Sequence, residues 1–240
     1  MITVSTQLHV ASGRLIDHDT TDEAGITNVL VVADYIFRVN GDNVVLNGST
    51  VSQMNNLGSN AINLVQGTTA YQPTIVTNAA NGHAAISVDA TDDFMTCRQF
   101  SLTGDFTQFY VYKQATLPGK LTFFNNNQYQ STIYAYDELF YINYGPGVFR
   151  QWTGMAGSTD YCILMIKRIG SNHYAYINGI LVSSVLGFGT GTYDITTAFK
   201  QESFKNTSTL YILDATMFNY ALTDEQATPF YTLLKNTYGL

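Results

Sequence analysis

The stretch from Leu210 to Leu240 constrains the fold more than any other part of the chain. Leu210-Tyr-Ile-Leu-Asp-Ala-Thr-Met-Phe218 reads as a buried strand, and Asn219-Tyr-Ala-Leu222 leads from it into Thr223-Asp-Glu-Gln226. Thr223 followed three residues later by Gln226 is a capping box, in which each side chain takes up an orphan backbone N–H of a helix start. Asp224 and Glu225 then lie at the positive end of the helix dipole. Pro229 interrupts the pattern, because proline cannot donate a helical hydrogen bond. The expectation is a kink there, or a fresh start with Thr228 as cap and Pro229 in first position. Beyond it Phe230, Leu233, Leu234 and Thr237 follow helical spacing, so one face should pack on a sheet.

Nearly everything upstream reads as strand and turn. Asn28-Val-Leu-Val-Val-Ala33 begins the regular strand signals, Asn40-Gly-Asp-Asn43 is a turn, Asn55–Asn60 a polar loop and Ala61–Gln66 a short strand. Phe106–Tyr112 is an aromatic strand, and Leu121–Phe124 precedes an Asn125-Asn-Asn127 turn. Ser131–Tyr136 and Leu139–Tyr144 can pair across Asp137-Glu138. Tyr161-Cys-Ile-Leu-Met-Ile166 is continuously apolar, which suits a strand buried on both faces. His173–Ile177 and Ile180–Val185 flank Asn178-Gly179, the strongest short hairpin signal because both turn residues must tolerate positive φ. Short strands at this spacing predict an all-β sandwich.

Composition narrows the function classes. The chain has 240 residues, a net charge of -7 and only 12% charged residues, with no run of Lys or Arg beyond Lys167-Arg168. Nucleic-acid binding needs clustered positive charge, so that class is excluded. No apolar run approaches the ~20 residues of a membrane-spanning helix, so no membrane insertion is expected. Cys97 and Cys162 sit in strand-like surroundings and are expected as buried free thiols. Residues 1–27, with the acidic Asp17–Glu23 segment, differ from the rest and are expected to form an N-terminal extension or arm on a domain of residues 28–240.

Several motifs, in order, resemble the laminin-G-like domains of the concanavalin A-like lectin/glucanase superfamily found in phage and bacterial proteins. They are the loop Val51–Asn60, Gln72-Pro-Thr74, the turn Ile86-Ser-Val-Asp-Ala-Thr-Asp-Asp-Phe94 (with Ala90 where glycine is usual), the hairpin Tyr176-Ile-Asn-Gly-Ile-Leu181, and Asn219–Gln226 with the Tyr238-Gly-Leu240 end. The likeness spans roughly residues 28–240. It implies an antiparallel jelly-roll β-sandwich of concanavalin A-like type with a C-terminal α-helix. These motifs are turns and caps, so they carry fold and not activity.

Glycosidases on such a fold place two glutamates on one strand, as Glu-x-Asp-x-x-Glu or Glu-x-Asp-x-Glu, to set nucleophile and acid about 5 Å apart. The four glutamates Glu23, Glu138, Glu202 and Glu225 have no such spacing, and Asp137-Glu138 are adjacent rather than alternate. No Gly-x-Ser-x-Gly or His-Glu-x-x-His occurs, His9, His18, His83 and His173 are scattered, and Gly187-Phe-Gly-Thr-Gly191 lacks the setting of a phosphate loop. Catalytic residues are therefore not assigned. Asp92-Asp93 and the Asp17–Glu23 cluster miss EF-hand spacing, and Asx turns account for Asp92-Asp93; no metal and no cofactor is expected.

Sugar recognition uses aromatic platforms beside amides and hydroxyls. Tyr144-Gly-Pro-Gly-Val-Phe-Arg-Gln-Trp152 reads as a loop holding the single Trp, so Tyr144, Phe149, Arg150, Gln151 and Trp152 are candidate carbohydrate contacts, with Asn126 and Tyr129 from a second loop. The start Met1-Ile-Thr-Val lacks a secretory signal pattern. Together with the resemblance, this leads to an expectation of a non-catalytic phage virion protein, a tail or head appendage binding host or environmental glycan beside other virion proteins, with the oligomeric state left open and a homo-oligomer among the arrangements. A purely structural decoration protein and a polysaccharide-degrading enzyme are the alternatives, as is a bacterial cytoplasmic or non-Sec exported protein.

Overall fold

A computed structural model describes residues 10–11, 14–15, 33–89, 91–116, 121–125, 132–136, 139–143, 149–152, 158–187, 191–199 and 208–240. These residues form an antiparallel β-sandwich closed by a C-terminal α-helix. Hydrogen bonding is continuous through 14 strands. The ladder narrows to the single pair Thr50 with Thr74, between strands Thr50–Met54 and Thr74–Ala80. On one side of that junction lie Leu64–Val65, Met95–Leu102 and Tyr193–Ala198; on the other lie His83–Val88, Leu210–Phe218, Phe106–Gln114, Cys162–Ile169, Asn172–Ile177 and Ile180–Val185. The two sides share one core, since Val51, Met54, Leu64, Met95 and Ile195 pack with Phe106, Tyr110, Leu164, Ile212 and Met217.

The central strands of the second layer are apolar on both faces for a simple reason. Alternate residues face opposite ways. Along Phe106–Gln114, Phe106, Tyr110 and Tyr112 enter the inter-sheet core, while Phe109 and Val111 enter a second core under the terminal helix. Cys162–Ile169 does the same with Leu164 and Ile166 on one face and Ile163 and Met165 on the other. The continuous apolar run from Tyr161 is thus a doubly covered strand, as expected. Both cysteines are free thiols, and burial pushes them up to about 12 at Cys97 and about 11 at Cys162.

The helix spans Asp224–Tyr238 with the full Thr223–Gln226 capping box, and ends on Gly239 at φ 69°, whose N–H bonds the Lys235 carbonyl. It runs through Pro229 without restarting, against one of the two expectations. The bond that proline cannot make would have gone to Glu225, whose carbonyl lies in an exposed first turn, and the Thr228 carbonyl accepts from Thr232 Oγ1 instead of starting a new cap. The buried stripe is Ala227, Phe230, Leu234 and Tyr238, with Leu233 only partly buried. The face is therefore turned slightly from the one predicted. Tyr238 explains the turn: its hydroxyl reaches the fully buried Asp214, which Arg38 also grips with two hydrogen bonds of 2.9 and 2.8 Å.

Among the remaining expectations, the Asn178-Gly179 hairpin is present, with φ of 50° and 80° and Ile177 opposite Ile180. Thr132–Tyr136 pairs with Leu139–Asn143, as expected for the segments flanking Asp137-Glu138. The strand expected at Ala61–Gln66 shrinks to Leu64–Val65, because Asn60 and Asn63 side chains bond backbone N–H groups of Ile62 and Asn56 in place of a ladder. Val10–Ala11 and Arg14–Leu15 form a small sheet with Ala33–Asp34. The acidic Asp17–Glu23 segment and most of the strand expected at Asn28–Ala33 lie outside the described residues.

Candidate functional site

The sugar-contact residues read from the sequence are placed only in part. Asn126, Tyr129 and Tyr144 lie outside the described residues. Phe149–Trp152, expected in a loop, is instead a strand, paired antiparallel with Leu139–Asn143 so that Phe140 faces Trp152 and Asn143 faces Phe149. The reason is that Gly145-Pro-Gly147 is a turn signal between two aromatic-rich runs, and a strand pairing satisfies their backbone groups. This strand completes a four-stranded sheet with Leu121–Thr122, Thr132–Tyr136 and Leu139–Asn143, and it lies close to Ile180–Val185.

A concave site elsewhere is built by the helix start. Gly179 at the hairpin turn, the Asn172–Ile177 strand and the first turns of the helix enclose a cleft of about 390 Å³. Small-molecule sites run from about 300 to 1,000 Å³ and combine apolar walls with a few polar groups. Phe109, Met165 and Ala227 line the cleft from the buried core. Two partly buried phenol rings, Tyr176 and Tyr231, line it as well, with Asp224 and Thr228 adding a carboxylate and a hydroxyl. Tyr231 stands against the hairpin, 3.5 Å from where a Cβ on Gly179 would be, and the glycine serves the turn by its φ of 80°. Burial raises the Tyr231 phenol above its ordinary value, which keeps it an O–H donor at neutral pH.

Lys167 ties this cleft together. Its ammonium donates to the Leu222 carbonyl at 3.3 Å and to Asp224 Oδ1 at 3.1 Å, and lies 5.9 Å from the centre of the Tyr176 ring. The lysine side chain is 6% exposed while that of Asp224 is 86% exposed. The cation is thus spent on internal contacts, and the carboxylate keeps an oxygen for a ligand hydroxyl. Sequence reading missed this cleft, because its residues come from four separate elements. The hairpin and the capping box were the visible signals for two of its walls.

Two other polar groupings lie elsewhere on the sandwich. Asp89, Asp92 and Asp93 converge within 4.8 Å. Asp89 Oδ1 accepts from the Thr91 N–H at 2.8 Å and Asp92 N–H at 3.2 Å, and Asp93 Oδ2 accepts from the Asp89 N–H at 2.9 Å. This is the Asx-stabilised turn the sequence suggested. Burial, then the Asp89 and Asp92 charges, push the Asp93 carboxyl up to about 6 against the opposing backbone bond. His83 and Asp42, far apart in sequence, meet at 2.6 Å with the His83 ring edge-on to Tyr238. Among the described residues no serine or threonine hydroxyl and no cysteine thiol bonds to this histidine.

The fold defines a class, the antiparallel β-sandwich with a terminal helix. No protein-family model matches the chain, and no curated protein does. Solved structures do match. The binding domain of Paraclostridial Mosquitocidal Protein 1 aligns with a TM-score of 0.62 at 13% identity, over 85% of this chain and 53% of that one. The ligand binding domain of botulinum neurotoxin serotype D, in complex with N-acetylneuraminic acid, aligns at 0.56 and 11% identity over 83% of this chain and 50% of that one. The binding domain of botulinum neurotoxin DC, in complex with SialylT, aligns at 0.56 and 14% over 84% and 52%. The chain therefore spans about half the length of each of these structures. At such identity the likeness establishes the fold.

Proposed function

We propose that this protein is a non-catalytic glycan-binding module and that the cleft beside the terminal helix holds a sugar ring. The observation that carries this is the pairing of two phenol rings, Tyr176 and Tyr231, with the exposed Asp224 and Thr228 over an apolar floor. A sugar ring offers an apolar C–H face and a rim of hydroxyls, which is the complement of that lining. Support comes from the sandwich fold and from neighbours described as binding domains, one of them in complex with N-acetylneuraminic acid and one with SialylT. The missing paired glutamates support a module without hydrolytic activity.

The same reading carries its finer expectations as proposals. The ordered motifs favour a laminin-G-like domain over residues 28–240 with residues 1–27 as an attachment arm, displayed on a phage particle beside other virion proteins. Trp152, with Phe149, Arg150, Gln151, Tyr144, Asn126 and Tyr129, is a second, separate set of glycan contacts. A glycan array followed by titration of any hit tests the site. Tyr231→Ala and Tyr176→Ala should each weaken binding about tenfold, roughly 1.4 kcal/mol, while Trp152→Ala reports on the second set. An array without a hit, or a hit indifferent to both tyrosine variants, sinks the cleft as the binding site.

A further inference from the structure

Lys113, Tyr161 and Tyr211 form a cluster of donors on the same face of the sheet as the cleft. Lys113 lies opposite Tyr211 in the ladder, and its ammonium is 5.2 Å from the centre of that ring and 4.6 Å from that of Tyr161. The row continues across the strands, with Tyr211 opposite the buried Ser87 and Ser87 opposite the exposed Thr74. Lys113 and both tyrosines are partly exposed.

This lysine contrasts with Lys167. Among the described residues no carboxylate or carbonyl accepts from Lys113, and no acceptor is bonded to either phenol. Ring faces attract the charge but do not replace an oxygen acceptor for its three N–H groups. Burial, and the nearness of Tyr211, push the Tyr161 phenol up to about 12, so it remains an O–H donor at neutral pH. A cation between two phenol rings that each carry a hydroxyl donor, with no bonded acceptor among the described residues, is complementary to an oxyanion. The chain's net charge of -7 makes this a positive group on an acidic molecule, suited to one anionic group rather than to a polyanion.

We propose that the Tyr161–Lys113–Tyr211 row is a subsite for an oxyanion and, resting on the glycan reading above, that the oxyanion is the carboxylate of an acidic sugar residue. Lys113 stands four residues from Phe109 of the cleft on one strand and one face, about 13 Å at the usual strand rise. An oligosaccharide can therefore seat one ring in the cleft and place an acidic residue on this row.

The test is a titration by calorimetry and NMR with three probes: methyl glucuronide, methyl glucoside and inorganic phosphate. The wild-type protein should bind the glucuronide about tenfold or more tighter than the glucoside, the ratio expected when charge-assisted hydrogen bonds are added. Lys113→Gln should abolish that preference, and rising salt should erode it. Tyr161→Phe keeps the ring and removes only the hydroxyl, so it should weaken glucuronide binding a few-fold and serves if Lys113→Gln fails to fold. Equal binding of the two sugars, unchanged in Lys113→Gln, overturns the subsite and leaves the glycan reading standing. Phosphate bound through Lys113 with neither sugar bound keeps the oxyanion subsite and overturns the glycan reading. Failure of both glucuronide and phosphate to bind overturns the subsite.

Discussion

Replacing Arg38 by methionine should unfold much of the margin that holds this sandwich together. Asp214 is fully buried in the last strand and accepts from Arg38 Nε and Nη2 at 2.9 and 2.8 Å, from the Tyr238 hydroxyl at 3.0 Å and from Thr216 Oγ1 at 2.6 Å. Arg38 itself is largely buried, and although burial opposes its charge, Asp214 raises its pKa above an arginine's ordinary value. Arg38→Met fills similar space but removes two charge-assisted bonds, each worth about 1.5–3 kcal/mol. It also leaves the carboxylate buried beside only two hydroxyls. Breaking one side of a buried pair costs about 3–5 kcal/mol, which agrees with that sum and is a large share of the roughly 5–15 kcal/mol that holds a domain folded. Urea unfolding at pH 7, followed by far-UV circular dichroism and tryptophan emission, measures the loss. The triple variant Arg38→Met, Asp214→Leu, Tyr238→Phe removes the stranded charge and one of its two hydroxyl partners, leaving the Thr216 hydroxyl, and should recover most of the loss. A single-variant cost under about 1 kcal/mol, or a triple variant no more stable than the single, would refute the view of Asp214 as a charge that must be paired.

Three further outcomes follow from the same structure. His173 is buried against Phe106, and burial together with the Arg168 charge lowers it to about 3. Its folded pKa lies below the unfolded value of about 6.5, so the unfolded chain binds more protons between those limits and stability should fall as pH drops through that window, by up to about 1.4 kcal/mol per unit. Asp93, raised to about 6, has the opposite sign: its share of stability is lost as pH rises from about 4 to 6. Thermal unfolding of wild type and His173→Gln between pH 3 and 7 separates the two, and an unchanged acid slope in the variant would rule out His173. Phe230→Ala should cost about 3–5 kcal/mol, since the ring meets Phe109 at 4.9 Å and Phe218 at 5.2 Å under the helix; chemical unfolding reads it directly. Gly58→Ala should destabilise through backbone collision, because a Cβ there would stand 2.5 Å from the Ile36 carbonyl carbon and oxygen and from Phe37 N, and a melting temperature equal to wild type would contradict the close approach.

The elements legible in the sequence are those set by neighbours along the chain. Thr223 and Gln226 reach each other across one helical turn, Asn178 and Gly179 bend the chain by their own φ preferences, and Asp89 caps its own turn. The apolar run Tyr161–Ile166 announced a strand covered on both sides, although the helix that covers one side comes much later in the chain. Such local rules need no knowledge of the rest of the molecule, and they were enough to predict an all-β sandwich with a terminal helix. They misplaced Phe149–Trp152 as a loop, because polar and aromatic content cannot tell a sheet strand from an exposed turn until the partner strand is known.

What only the tertiary structure decided is every grouping made across distance. Arg38 meets Asp214, His83 meets Asp42, and Lys113 meets Tyr161 and Tyr211 through strand pairings that no periodicity encodes. The cleft joins Phe109, Met165, Tyr176 and the first turns of the helix for the same reason. Local sequence determined which backbone shapes each segment takes. Burial of two separate apolar faces, and the register that burial enforced, determined which side chains share a surface and so where a ligand can be held.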